Sequence, residues 1–147
     1  RFPLRALHNL NLSRDDALRE LSGPFKRQHG GALVVICTPR AHWASSVAKE
    51  HAAALLAIQR ETGVQVVAGT APAPGLPEAS GGLDVEVARL VSDLAMGFEG
   101  SELRPGLLGE LPLWEPSRGP LPAAEALAIR ACVEAQRQTG AALALSG

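Results

Sequence analysis

The sequence predicts an α/β chain of alternating helices and parallel strands, read as a portion of a barrel built from βα units. Three observations carry this reading. Apolar runs recur at Ala32–Cys37, Val64–Ala68 and Pro105–Gly109, and strands apolar on both faces belong in a covered parallel sheet. Segments of helical period alternate with those runs, as repeated βα units require. The stretch Arg104-Pro105-Gly106-Leu107-Leu108-Gly109 delivers one carboxylate, Glu110, where the strand is expected to leave the sheet, and βα barrels gather their chemistry at that carboxyl edge. Units of this length also suit a doubly wound sheet, which is the alternative architecture. Residues 1–147 are expected to form one partial barrel domain, with an N-terminal loop and helix over 1–29 and βα units over 30–147.

The elements follow in order. Residues 1–12 show no firm period. Ser13-Arg14-Asp15-Asp16 reads as a helix start, because a Ser cap followed by acids suits the orphan amides and the positive end of the dipole. Leu18 and Leu21 continue that helix, and Gly23-Pro24 is expected to end it. After Gly30-Gly31 comes the clearest strand, Ala32 to Cys37, and then a loop carrying Pro39, Arg40, His42 and Trp43. Ser45 or Ser46 opens a helix with Val47, His51, Leu55 and Ile58 along one face, and Gly63 stops it before the strand Val64–Ala68.

Thr70 to Gly82, rich in Pro, Gly, Ala and Ser, is expected to be a mobile loop on the same side as Glu110. A helix from Leu83 carries Val87, Leu90, Val91 and Leu94, and it closes near Gly97 and Gly100. Beyond the strand that delivers Glu110, a Pro-rich loop from Pro112 to Pro122 leads into an Ala-rich helix. Gly140 stops that helix before a last strand at Leu143-Ala144-Leu145. One internal echo supports the unit structure: Gln59-Arg60-Glu61-Thr62-Gly63 and Gln136-Arg137-Gln138-Thr139-Gly140 each end a helix and feed a strand.

Composition narrows the function classes. With 46% hydrophobic and 20% charged residues, the 147-residue chain can bury a core. A net charge of -1 offers no attraction for nucleic acid or an anionic membrane, and 3% aromatics with no Tyr leave little to stack bases on. No apolar run approaches the roughly 18 residues that a membrane span needs. Cys37 and Cys132 each lie in an apolar segment and read as buried free thiols of a reducing, cytoplasmic compartment. The first residue is Arg, so Arg1 is not expected to be the natural start.

The motifs exclude more than they assign. His8, His29, His42 and His51 show no H-x-H or H-x-x-x-H spacing, so no zinc motif is formed among them. His51 reads as a packed helix residue and His42 as a loop residue. Gly-x-Ser-x-Gly, P-loop and Gly-x-Gly-x-x-Gly motifs are missing, so no catalytic residue can be named. Glu110 has two readings. It is a solvated residue or cap after a strand, or its oxygens bind one or two divalent cations at a barrel mouth, where a carboxylate can bridge two ions around an activated water.

From about Gly30 onward the chain resembles the phosphotriesterase family of the amidohydrolase superfamily, most closely its phosphotriesterase-related branch. The resemblance rests on Gly30-Gly31-Ala32-Leu33-Val34, Glu61-Thr62-Gly63-Val64, Phe98-Glu99-Gly100-Ser101-Glu102-Leu103, Gly106-Leu107-Leu108-Gly109-Glu110 and the helix end Gln136–Gly140. It implies a (β/α)8 TIM-type barrel, a pair of divalent ions, usually zinc, and hydrolysis of ester, lactone or amide bonds in small-molecule substrates. In that branch the bridging ligand is a Glu, which falls on Glu110. The departures are large. The family's H-x-H pair has no counterpart after Arg1, its next His falls on Ser146, and its later His and Asp ligands would lie beyond Gly147.

One carboxylate cannot hold catalytic zinc, which takes about three protein ligands. Half a barrel also leaves open strand edges, so self-association through them is expected. The sequence therefore reads as a fragment or divergent member of a zinc-dependent hydrolase, inactive as this chain alone and without retained zinc. The alternatives are a pseudoenzyme or binding protein keeping the barrel-type fold, and an unrelated α/β sandwich.

Overall fold

A computed structural model describes residues 14–29, 32–35, 45–72, 82–112 and 119–146. Helix α1 (Arg14–Glu20) has Asp15 and Asp16 in its first turn and Arg19 in its last, each at the favourable end of the dipole. It does not end at Gly23-Pro24 as the sequence suggested. A π-turn over Leu21–Phe25 carries the helical path into α2 (Lys26–His29). A wide turn of this kind tolerates the ladder bond that proline cannot make. Lys26 Nζ then donates 2.9 Å to the carbonyl of Thr62, placing a cation at the negative end of α3.

The strands are β1 (Ala32–Val35), β2 (Gln65–Thr70), β3 (Leu107–Pro112) and β4 (Ala142–Ser146). The helices between them are α3 (Ser45–Thr62), α4 (Gly82–Met96) and α5 (Ala123–Thr139). All pairings are parallel, and the four strands lie in the order β1-β2-β3-β4. That order has no reversal, whereas a doubly wound sheet needs one.

Register shows where the helices lie. Val66, Ala68 and Thr70 alternate onto one face of β2, and Thr70 stands beside Leu108. Across the next ladder Leu108 pairs with Leu143 and Leu111 with Leu145. On that face Val66 and Ala68 pack with Ala52, Leu55 and Ile58 of α3 and with Leu103. Leu108 and Leu111 pack there with Val87 and Leu90 of α4 and Ala131, Cys132 and Ala135 of α5. Three successive crossovers thus cover the same face, as right-handed βα units winding a barrel must. The described strands form a four-stranded portion of a (β/α)8 barrel.

Two boundaries differ from expectation. Strand β2 runs on to Thr70, which is buried at its end and not part of a loop; Ala71 and Pro72 follow it without regular structure, Gly82 opens α4, and 73–81 of that expected loop fall outside the described residues. Strand β3 starts later and ends later than Pro105–Gly109. Pro105 has no amide to give a ladder, and Gly106 N makes the first bond to β2, 2.8 Å to the Ala68 carbonyl. The far end persists because β3 has a bulge.

Candidate functional site

Parallel strands in sequential order bring their carboxyl ends to one edge: Thr70 on β2, Glu110 to Pro112 on β3 and Ser146 on β4. Between the pairs Leu108–Leu143 and Leu111–Leu145, β3 has two residues, Gly109 and Glu110, against one on β4, Ala144. This is a β-bulge, a device that re-aims a strand next to functional sites. Gly109 is required there. Its φ is 120°, and a Cβ would lie 2.4 Å from the Ala144 carbonyl oxygen. Glu110 therefore stands inside β3, at its bulge, and not after the strand as the sequence suggested. The bulge lets Pro112 still pair with Ser146 at the end of β4.

Of the other candidates, those that the structure describes lie away from this edge. His29 lies in α2 and His51 in α3, both in the helical layer. His8, His42 and Cys37 fall outside the described residues. Cys132 is fully buried between α4, α5 and β3. Burial foremost, then Glu86, pushes its thiol up to about 12 against the pull of Arg89, which keeps it a neutral thiol at neutral pH. Among the described residues no three His, Cys, Asp or Glu side chains converge to hold a metal ion.

A polar cluster that sequence reasoning missed lies on the helix face at the end of β2. Arg89 of α4 donates from Nε to Glu86 Oε1 at 3.0 Å, from Nη1 to Asp93 Oδ2 at 2.5 Å and from Nη2 to the Ala71 carbonyl at 2.8 Å. Its Nη2 also bonds Glu86. The Thr70 hydroxyl donates 2.9 Å to Asp93 Oδ2 and accepts from Arg89 Nη1 at 3.4 Å. Glu86 and Asp93 are buried, and buried carboxylates persist only when paired and hydrogen-bonded. With its donors engaged in this way, Arg89 clamps the carboxyl end of β2 onto α4 and is structural. The signal in the sequence was the Glu86-x-x-Arg89-x-x-x-Asp93 spacing, which places both acids one turn from the guanidinium. Such charge runs usually face water, so the spacing did not announce burial.

The concave surface between α4 and α5 lies elsewhere. It is an open groove of about 680 Å³ lined by Leu83, Val87, Ile129, Arg130, Val133 and Arg137. These side chains belong to the helical layer and have no part in the strand-end edge. No helix among the described residues is long and apolar enough to cross a membrane.

Comparison with known proteins gives a likeness of structure alone. No protein-family model and no curated sequence matches the chain. Its structure is similar to that of the phosphotriesterase homology protein of Escherichia coli, crystallised with phosphate in its active site. The TM-score is 0.64 and the identity 22%, and the match covers 91% of this chain and 44% of that one. The chain thus spans under half the length of the protein it superposes on.

Proposed function

We propose that this chain is part of, or a divergent relative of, a phosphotriesterase-like hydrolase that acts on ester, lactone or amide bonds with divalent metal, usually zinc, and that the 147 residues alone are inactive. The observation that carries this reading is Glu110 at the bulge of β3, in a barrel segment shaped like the phosphotriesterase homology protein. The run Gly106 to Glu110 adds the sequence resemblance. Glu110 is the residue we assign to metal. A carboxylate at a barrel mouth can bridge two cations, but alone it supplies too few bonds to retain one. The neighbouring strand offers Ser146, a neutral hydroxyl and a poor zinc ligand. Activity on this reading belongs to a complete barrel with the remaining ligands.

The test is elemental analysis after dialysis, together with hydrolysis of ester, lactone and amide substrates. The native chain is expected to hold far less than one zinc and to be inactive. Ser146→His, which sets an imidazole on the strand beside Glu110 and brings the ligands only to two, is expected to gain weak zinc binding, still below one ion per chain, that Glu110→Gln removes. Stoichiometric zinc on the native chain would replace this reading with that of a working enzyme. Zinc binding by Ser146→His that is indifferent to Glu110→Gln would remove Glu110 from the metal.

A further inference from the structure

We infer that α4 is the contact helix of a homodimer, its outward face packed antiparallel on the same face of a second copy. The inference rests on the helical layer and uses none of the proposed chemistry. α4 lies between α3 and α5 in the order of elements, so its outward face is bounded by helices on both sides and not by an edge of the sheet. After Asp84, the exposed positions of α4 are Val85, Ala88, Ser92, Ala95 and Met96, none of them charged. Val85 and Met96 are large apolar side chains, 67% and 65% exposed. α5, in the same layer, exposes Glu125, Arg130, Arg137 and Gln138 instead. A helix face turned to water ordinarily carries charge, and an exposed apolar one marks a contact surface.

Spacing and charge select a second copy as the occupant. Val85, Ala88, Ser92 and Ala95 form one stripe along the helix, in the steps of a seven-residue repeat. A two-fold axis at the level of Leu90 sets Val85 against Ala95 of the other copy and Ala88 against Ser92. The same axis reverses the ends of the helical layer. Asp84 is in the first turn of α4 and Arg137 in the last turn of α5. Both line the groove between these helices, at opposite ends of it. An inverted copy brings its Asp84 to Arg137 and its Arg137 to Asp84, so two ion pairs flank the apolar stripe. Both groups are available for this. Among the described residues Asp84 makes no ion pair, and Arg137 reaches Glu134 only at 3.7 Å, between side chains 73% and 46% exposed. Opposed helix dipoles favour the antiparallel arrangement further. One helix and one rim make a small interface, in the range of weak and transient contacts.

The experiment is sedimentation equilibrium of the 147-residue chain up to about 1 mM, with circular dichroism to confirm that each variant is folded. A reversible monomer–dimer equilibrium of the 15.3 kDa chain is expected, with a Kd of about 1–100 μM. Ala88→Glu is expected to raise that Kd about 100-fold or more, since each copy would bury an unpaired carboxylate. Ser92→Lys is expected to do the same and serves if Ala88→Glu does not fold. Arg137→Glu alone is expected to weaken the dimer about 10-fold, and adding Asp84→Arg to restore it, because the exchanged pairs attract again. Leu145→Glu, at an exposed apolar position on β4, is expected to leave the dimer unchanged. A chain still monomeric at about 1 mM would give the face to a different protein and overturn the proposal. So would assembly that Leu145→Glu abolishes, assembly that survives both Ala88→Glu and Ser92→Lys, or a double variant no tighter than Arg137→Glu.

Discussion

The α3–β2 and α5–β4 junctions have the same sequence pattern, Gln-Arg-x-Thr-Gly, and the same local structure. At the first, Thr62 Oγ1 donates 2.6 Å to the Ile58 carbonyl and accepts from Val64 N at 3.1 Å, while Gly63 N bonds the Gln59 carbonyl at 2.9 Å. At the second, Thr139 Oγ1 donates 2.7 Å to the Ala135 carbonyl and accepts from Ala141 N at 3.3 Å, while Gly140 N bonds the Gln136 carbonyl at 2.7 Å. Both glycines are left-handed, at φ 67° and 72°. The surroundings part company after the turn. Val64, Val66 and Ala68 are buried, whereas Leu143 and Leu145 are exposed. Among the described strands, β2 has a neighbour on either side and β4 has one. Identical local chemistry makes identical turns, and neighbours decide what the turn is worth.

The sharpest way to break the contrast is at the end of β2, where the Arg89 cluster has no counterpart on β4. Arg89→Met leaves Glu86 and Asp93 buried without their cation, and breaking such a pair costs about 3–5 kcal/mol. Urea unfolding is expected to show a loss in that range, and a loss below about 1 kcal/mol would mean that the acids are hydrated.

Next comes the paired ladder of β3 and β4. Leu108 is fully buried, while its partner Leu143 is 36% exposed. Leu108→Ala is expected to cost about 2–5 kcal/mol and Leu143→Ala under about 1 kcal/mol. Equal costs would show that Leu143 is covered in solution.

The echoed threonines give a smaller effect in the same direction. Thr62→Val strands a buried amide at Val64, about 1–2 kcal/mol, while water replaces Thr139 at Ala141 and Thr139→Val costs a few tenths. Thermal unfolding of the two variants side by side reads the difference.

The smallest effect is alkaline. Cys132 titrates near 9 when unfolded and about 12 when folded, so the folded state favours the neutral thiol. Its contribution is whole below pH 9 and is lost as pH rises from 9 towards 12. By pH 10 the loss is expected to be about 1 kcal/mol, absent in Cys132→Ala.

Much of this was legible in the residues. The strands expected from Ala32, Val64 and Pro105, found to start at Ala32, Gln65 and Leu107, the helix stops at Gly63 and Gly140 and the repeated unit all follow from short-range chemistry. The Gly23-Pro24 stop failed because a π-turn accommodates a proline that an ordinary helical turn does not. The strand ends failed for a different reason. Thr70 looks like the first residue of a loop until Asp93, remote in sequence, bonds its hydroxyl. Glu110 looks like the residue after a strand until Ala144 faces both it and Gly109.

The sequence by itself determined the class, the alternation and the carboxylate at 110, because periodicity, capping and β-branching act over a few residues. Only the tertiary structure decided that the order is sequential, that one face takes all the helices and that Glu86, Arg89 and Asp93 are buried. Those outcomes depend on which distant surfaces meet. Burial and register are properties of pairs of segments, and no single segment encodes them.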